Sequence, residues 1–112
     1  MKFYLVDKEL VVSSKELKED RVIPNDKDAA LEKHVPYVKI DGHKVHVQIG
    51  ETKHPMLEEH YISDVVIVTD KGYHHYKLHP GEEPVIDVTL NEEVLEVYEY
   101  CNLHGLWVKK IK

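Results

Sequence analysis

Nine histidines and one cysteine stand out among 112 residues, and their positions separate them into two groups. His34 lies just ahead of Val35-Pro36. His54 lies in Gly50-Glu51-Thr52-Lys53-His54-Pro55-Met56, and His60 follows six residues later. Cys101 and His104 share the segment Cys101-Asn102-Leu103-His104. These five groups all fall where turn-forming residues interrupt apolar runs, in connections where a scaffold converges distant sequence. Imidazole nitrogen and thiolate sulfur are the donors that transition metals prefer. Singly each is weak evidence: a Cys-x-x-His pair recurs by chance, and a free thiol is by default a small buried hydrophobe. Five in the connections of one short chain point to a metal.

The other histidines read as solvated. His43 and His46, three apart on or beside a strand, point to opposite faces, as do the adjacent His74 and His75. His79 precedes Pro80-Gly81 in a turn. An adventitious metal pair at His75 and His79 is the exception to check.

Four imidazoles and one thiolate narrow the choice of ion. Structural zinc closes a tetrahedron with four ligands and would leave one donor over. Blue copper takes two His, one Cys and a weak axial ligand, leaving two imidazoles unexplained, while calcium and magnesium require oxygen. Five N and S donors suit a five-coordinate iron with its sixth position open. A thiolate opposite that position donates electron density toward whatever binds there. The alternative, from another class, is a non-catalytic module that keeps the fold and holds zinc or no metal.

The elements that must position these residues are short strands. From residue 34 onward turn signals recur every 8–12 residues, the spacing of a sandwich or barrel. Val35–Ile40 and Lys44–Ile49 flank Asp41-Gly42. Ile62–Thr69 and Tyr73–Leu78 flank Asp70-Lys71-Gly72, read as a three-residue loop. Pro84–Leu90, Val94–Tyr100 and Leu106–Ile111 follow. These seven segments predict an all-β, antiparallel, immunoglobulin-like β-sandwich with a short N-terminal extension. Residues 1–33 are charge-dense and poor in apolar side chains, so they are expected to lean on the sandwich without a core of their own. Ser13 or Ser14 is expected to cap one helical turn at Lys15-Glu16-Leu17.

Composition sets the outer bounds. A length of 112 residues allows one domain and a small appendage. The formal net charge of −6 disfavours nucleic acid and anionic membranes as partners. No apolar run approaches the roughly 20 residues of a membrane span, and Met1-Lys2-Phe3-Tyr4-Leu5 runs into Asp7 and Lys8, unlike a signal peptide. The lone Cys101 excludes an internal disulfide. A cytoplasmic location is the expectation.

Three stretches together resemble the superoxide reductases, the desulfoferrodoxin and neelaredoxin group. They are Glu32-Lys33-His34-Val35-Pro36, then Gly50-x-x-x-His54-Pro55-Met56-x-x-x-His60-Tyr61-Ile62, then Tyr100-Cys101-Asn102-Leu103-His104-Gly105-Leu106-Trp107. The resemblance implies a mononuclear iron with His34, His54, His60 and His104 as equatorial ligands and Cys101 as axial thiolate. It implies one-electron reduction of superoxide to hydrogen peroxide without release of dioxygen. By the same resemblance Lys33 steers the anionic substrate, and Glu32 closes the sixth position of the oxidised iron. A rubredoxin-like electron donor and a homodimer or homotetramer are the implied partners, with Trp107 or the Lys109–Lys112 tail as a docking candidate.

The resemblance extends upstream. Asp28–Lys33 looks like the linker that joins a small rubredoxin-like lobe to the catalytic domain in desulfoferrodoxins. It divides the chain into residues 1–31, a degenerate lobe without metal, and residues 32–112, the iron-binding sandwich. Departure from the family is total in that lobe, since no cysteine precedes Cys101. A second departure is Ser63-Asp64 after His60-Tyr61-Ile62, where the family commonly carries a Trp; it puts the local packing in question.

Overall fold

The computed structural model describes residues 1–25, 35–50 and 53–112. Ten strands and no helix form these residues: β1 Lys2–Val6, β2 Glu9–Ser13, β3 Asp20–Val22, β4 Pro36–Asp41, β5 Lys44–Ile49, β6 Ile62–Thr69, β7 Gly72–Lys77, β8 Val85–Thr89, β9 Val94–Cys101 and β10 Gly105–Lys110. They build three sheets, with strand orders β2-β1-β3, β10-β9-β6-β7 and β4-β5-β8. Every strand pairing is antiparallel.

The seven expected segments coincide with β4–β10 to within a residue at each end. Alternation explains why: Val45, Val47 and Ile49 of β5 point inward, while His46 and Gln48 between them do not. With Ile86 of β8 they pack on Ile62, Val65 and Ile67 of β6 and on Val97 and Cys101 of β9. The β4–β5 loop is Gly42-His43, closed by the pair Asp41↔Lys44, with Gly42 at φ 62° where a side chain would be strained. The β6–β7 loop is one residue shorter than expected, Asp70-Lys71, because Gly72 already pairs with Thr69.

The N-terminal stretch differs from expectation. No helical turn forms at Lys15-Glu16-Leu17. The Ser13 hydroxyl instead accepts from the Lys15 N–H at 3.0 Å, closing a turn. Three strands occupy the region that composition had left empty, so the described residues form ten strands, not seven. Their turn is cryptic: Asp7 and Lys8 close the β1–β2 hairpin with φ of 50° and 68°, a conformation usually given to glycine or asparagine.

Those few apolar residues are well placed. Phe3 and Leu10 join Val66, Tyr98, Leu106 and Val108 in a second cluster on the outer face of the β10-β9-β6-β7 sheet. The Phe3 and Tyr98 rings lie 4.5 Å apart. The extension thus leans on the sandwich, as expected, but it also completes a shared core. Covered on both faces, β6 is buried at Val65, Val66 and Ile67 alike. Beyond β3, Asn25 bonds to β10 through Asn25 N–H to Leu106 O at 2.8 Å and Val108 N–H to Asn25 O at 2.9 Å. That contact shields part of an edge strand.

Candidate metal centre

Two tight connections and one strand end meet at one end of the sandwich. After β5 the chain turns back, and the His54 N–H bonds to Ile49 O at 3.0 Å. The His54 ring is 3% exposed, and its Nδ1 lies 2.7 Å from Pro55 O. Nδ1–H therefore donates to that carbonyl, leaving Nε2 with its lone pair, the usual second bond of a metal-ligating imidazole. Three residues on, Leu57 and His60 bond reciprocally, N–H to carbonyl, at 2.9 and 3.0 Å, which fixes His60 ahead of β6. The Ile62 N–H donates to Met56 Sδ at 3.4 Å, tying this loop to the strand.

Cys101 enters from β9. It pairs with Ile62 of β6 and with Gly105 of β10, so Asn102-Leu103-His104 is a three-residue loop with Gly105 at φ 87°. This turn aims the backbone N–H groups of Leu103 and His104 at the Cys101 sulfur. His104 stands at the exposed rim, its ring 5.1 Å from that of His60 at 68°, while its carbonyl accepts from Trp107 Nε1 at 3.1 Å.

The result is a donor cluster. One ligand atom each of His54, His60 and Cys101 lies within 4.8 Å of the other two, and Cys101 Sγ is 3.7 Å from His54 Nε2. Two donors on one ion, with bonds of about 2.1 and 2.3 Å, sit no more than about 4.4 Å apart, so the sulfur and this nitrogen fit a shared ion as they stand. Burial pushes the Cys101 thiol above its ordinary value, and the Glu99 charge adds to this, against the two amide N–H groups. A cation bound among these donors would hold the sulfur as thiolate. The donor set fits a transition metal, and it is the one such cluster among the described residues.

Of the expected site residues, His54, His60 and Cys101 converge, and His104 adjoins them. Glu32, Lys33 and His34 lie outside the described residues. Glu99 was not anticipated: it is fully buried, inward on β9 two residues before Cys101. Alternation along Val97, Glu99 and Cys101 was the available signal.

Three expectations are corrected. His74 and His75 are half-buried and paired, not solvated: His74 Nε2 lies 2.9 Å from Glu92 Oε1, and His75 Nε2 lies 2.6 Å from Asp64 Oδ2. His75 and His79 form no metal cluster, since His79 Nδ1 pairs with Glu82 at 3.0 Å instead. Trp107 is 6% exposed and offers no docking surface; its indole N–H donates to the His104 carbonyl. At the second family departure, Ser63 forms a bulge in the β6–β9 ladder. Asp64 is there buried against His75, Lys77 and Ser63.

An immunoglobulin-like sandwich that closes two imidazoles and a thiolate at one end defines a metal-binding β-sandwich. The family model described as desulfoferrodoxin matches residues 26–110. A desulfoferrodoxin homolog of Archaeoglobus fulgidus is 41% identical over 80 residues, covering 71% of this chain and 64% of its own. The superoxide reductase from Treponema pallidum superposes with a TM-score of 0.82 at 34% identity, over 98% of this chain and 99% of that one. A superoxide reductase from Giardia intestinalis gives 0.61 at 32% identity, over 72% and 98%. The chain belongs to the desulfoferrodoxin family. It spans just under two-thirds of the length of the Archaeoglobus relative. Among the described residues no helix is long and apolar enough to cross a membrane.

Proposed function

We propose that this protein is a superoxide reductase, combining superoxide with one electron and two protons to give hydrogen peroxide. The convergence of His54, His60 and Cys101 in one buried cluster is the observation that carries this reading. His34, His54, His60 and His104 are its nitrogen ligands and Cys101 its thiolate. Mononuclear iron held by this set would supply the electron, cycling between ferrous and ferric states. The rest is the work of the chain. The Pro55 carbonyl fixes the tautomer of His54. The Leu103 and His104 amides stabilise charge on the sulfur and so tune its donation. Lys33, next to His34 in sequence, would attract the anion, and Glu32 would offer a carboxylate oxygen to the bound iron.

Residues 32–112 are on this reading the catalytic sandwich. Residues 1–31 are the metal-free counterpart of the family's N-terminal lobe. A lone thiol required as thiolate supports a reducing compartment, the cytoplasm. With no cysteine ahead of Cys101, electrons come from a separate small donor of rubredoxin type. Assembly as a homodimer or homotetramer is part of the same family-based reading.

The test is metal analysis of untagged protein, with spectra after ferricyanide oxidation and after reduction. Stoichiometric iron and a redox-dependent colour are expected. Cys101→Ser is expected to abolish the thiolate-to-iron absorption and most superoxide consumption. Colourless zinc protein, or an unchanged spectrum in the variant, would overturn the assignment.

A further inference from the structure

Asn102 makes three bonds across the site. Its Oδ1 accepts from the Tyr61 N–H at 2.9 Å, its Nδ2 donates to the Glu59 carbonyl at 3.1 Å, and its own N–H donates to the Tyr61 carbonyl at 3.2 Å. These partners flank His60 on both sides, 41 and 43 residues away in sequence, while Asn102 itself follows Cys101.

The reason for an amide side chain lies in the strand pairing. The β6–β9 ladder ends at Ile62↔Cys101, and the next pair would be Tyr61 with Asn102. A continuing antiparallel ladder would have the Asn102 carbonyl accept from the Tyr61 N–H. The chain must leave the ladder at that residue, because the Asn102-Leu103-His104 turn is what directs two amides at the sulfur. Oδ1 takes over the acceptor role of the departing carbonyl, and Nδ2 reaches the backbone on the far side of His60. Only a side chain with an acceptor and a donor on one planar group does both. The side chain is exposed, so packing does not account for its placement.

We propose that Asn102 is a positioning residue of the metal centre, stapling the loop that carries His60 to the turn that carries Cys101 and His104. This rests on the reading of those residues as ligands. A positioning role predicts loss of metal affinity out of proportion to loss of fold stability. Groups that orient ligands typically contribute 10–100-fold to affinity.

The experiment uses the full chain and cobalt(II), by chelator competition and absorption. For Asn102→Ala, cobalt affinity is expected to fall about 10–100-fold with an altered thiolate-to-cobalt band. In zinc-loaded protein, amide exchange at Tyr61 is expected to speed up, and melting of the apoprotein to change little. Wild-type affinity and band in the variant overturn the role of Asn102, as does a drop in apoprotein melting with affinity retained. Asn102→Asp guards against a variant that fails to fold: it keeps the Tyr61 acceptor and loses the Glu59 donor. A carboxylate would tighten cation binding by charge alone, so weakened binding supports the proposal and equal or tighter binding overturns it. Cobalt bound to the wild type with no thiolate band would instead overturn the ligand reading itself.

Discussion

Asp64 shows what one residue outside the centre contributes. It is 1% exposed, on β6, directly opposite Lys77 and diagonal to His75. Burial would raise its carboxyl, but hydrogen bonds from His75, Lys77 and Ser63 outweigh this and hold it below its ordinary value of 3.8. A depressed carboxylate stabilises the fold in full above its ordinary value, and that contribution is lost as pH falls through the lower folded value. Urea unfolding across the acid range should show this loss in the wild type and a flatter curve in Asp64→Asn. At neutral pH the substitution should lower stability by about 2 kcal/mol, the scale of hydrogen bonds to a charged group. A wild-type curve for the variant would mean that the carboxylate is not the acceptor for these groups.

At the scale of elements, the N-terminal sheet is a cover for the sheet that carries Cys101. Without β1–β3 the outer face would present Val66, Tyr98, Leu106 and Val108 to water, the apolar surface that favours association. Phe3 is the anchor, 2% exposed and tilted against Tyr98. Phe3→Ala should cost about 3–5 kcal/mol in urea unfolding, since a buried aromatic is lost and a cavity opens. The metal spectrum should stay unchanged, because the cluster lies on the opposite face of β9 from Tyr98. A shifted spectrum would show that this cover also shapes the centre.

For the whole molecule the issue is charge. A net −6 repels an anionic substrate, and salt would then speed the encounter by screening. On the proposed reading, the charge of Lys33 would reverse the local field at the site. The rate of superoxide reaction should therefore fall as ionic strength rises. Lys33→Ala should slow the reaction and flatten or reverse that dependence in pulse-generated superoxide kinetics. An unchanged salt profile would assign the steering charge to another residue, such as Lys53 beside His54.

Period-two alternation and turn residues are local, so β4–β10 could be read directly from the chain. The donor types in its connections could be read as well, three of which, His54, His60 and Cys101, the fold brings together. The N-terminal strands were hidden because their hairpin turn, Asp7-Lys8, adopts positive φ without glycine, and because their apolar residues find their partners on β6, β9 and β10. Val65-Val66-Ile67-Val68 is an unbroken apolar run of the kind a strand covered on both faces carries, but nothing local says what covers it. Likewise His75 was legible as a strand residue and Asp64 as an acid. Their meeting depends on the β6–β7 register. Sequence thus determined which groups are available and how each segment extends. Tertiary structure decided which groups meet, because the pairings that join residue 60 to residue 101 form between segments 41 positions apart, where local preference carries no information.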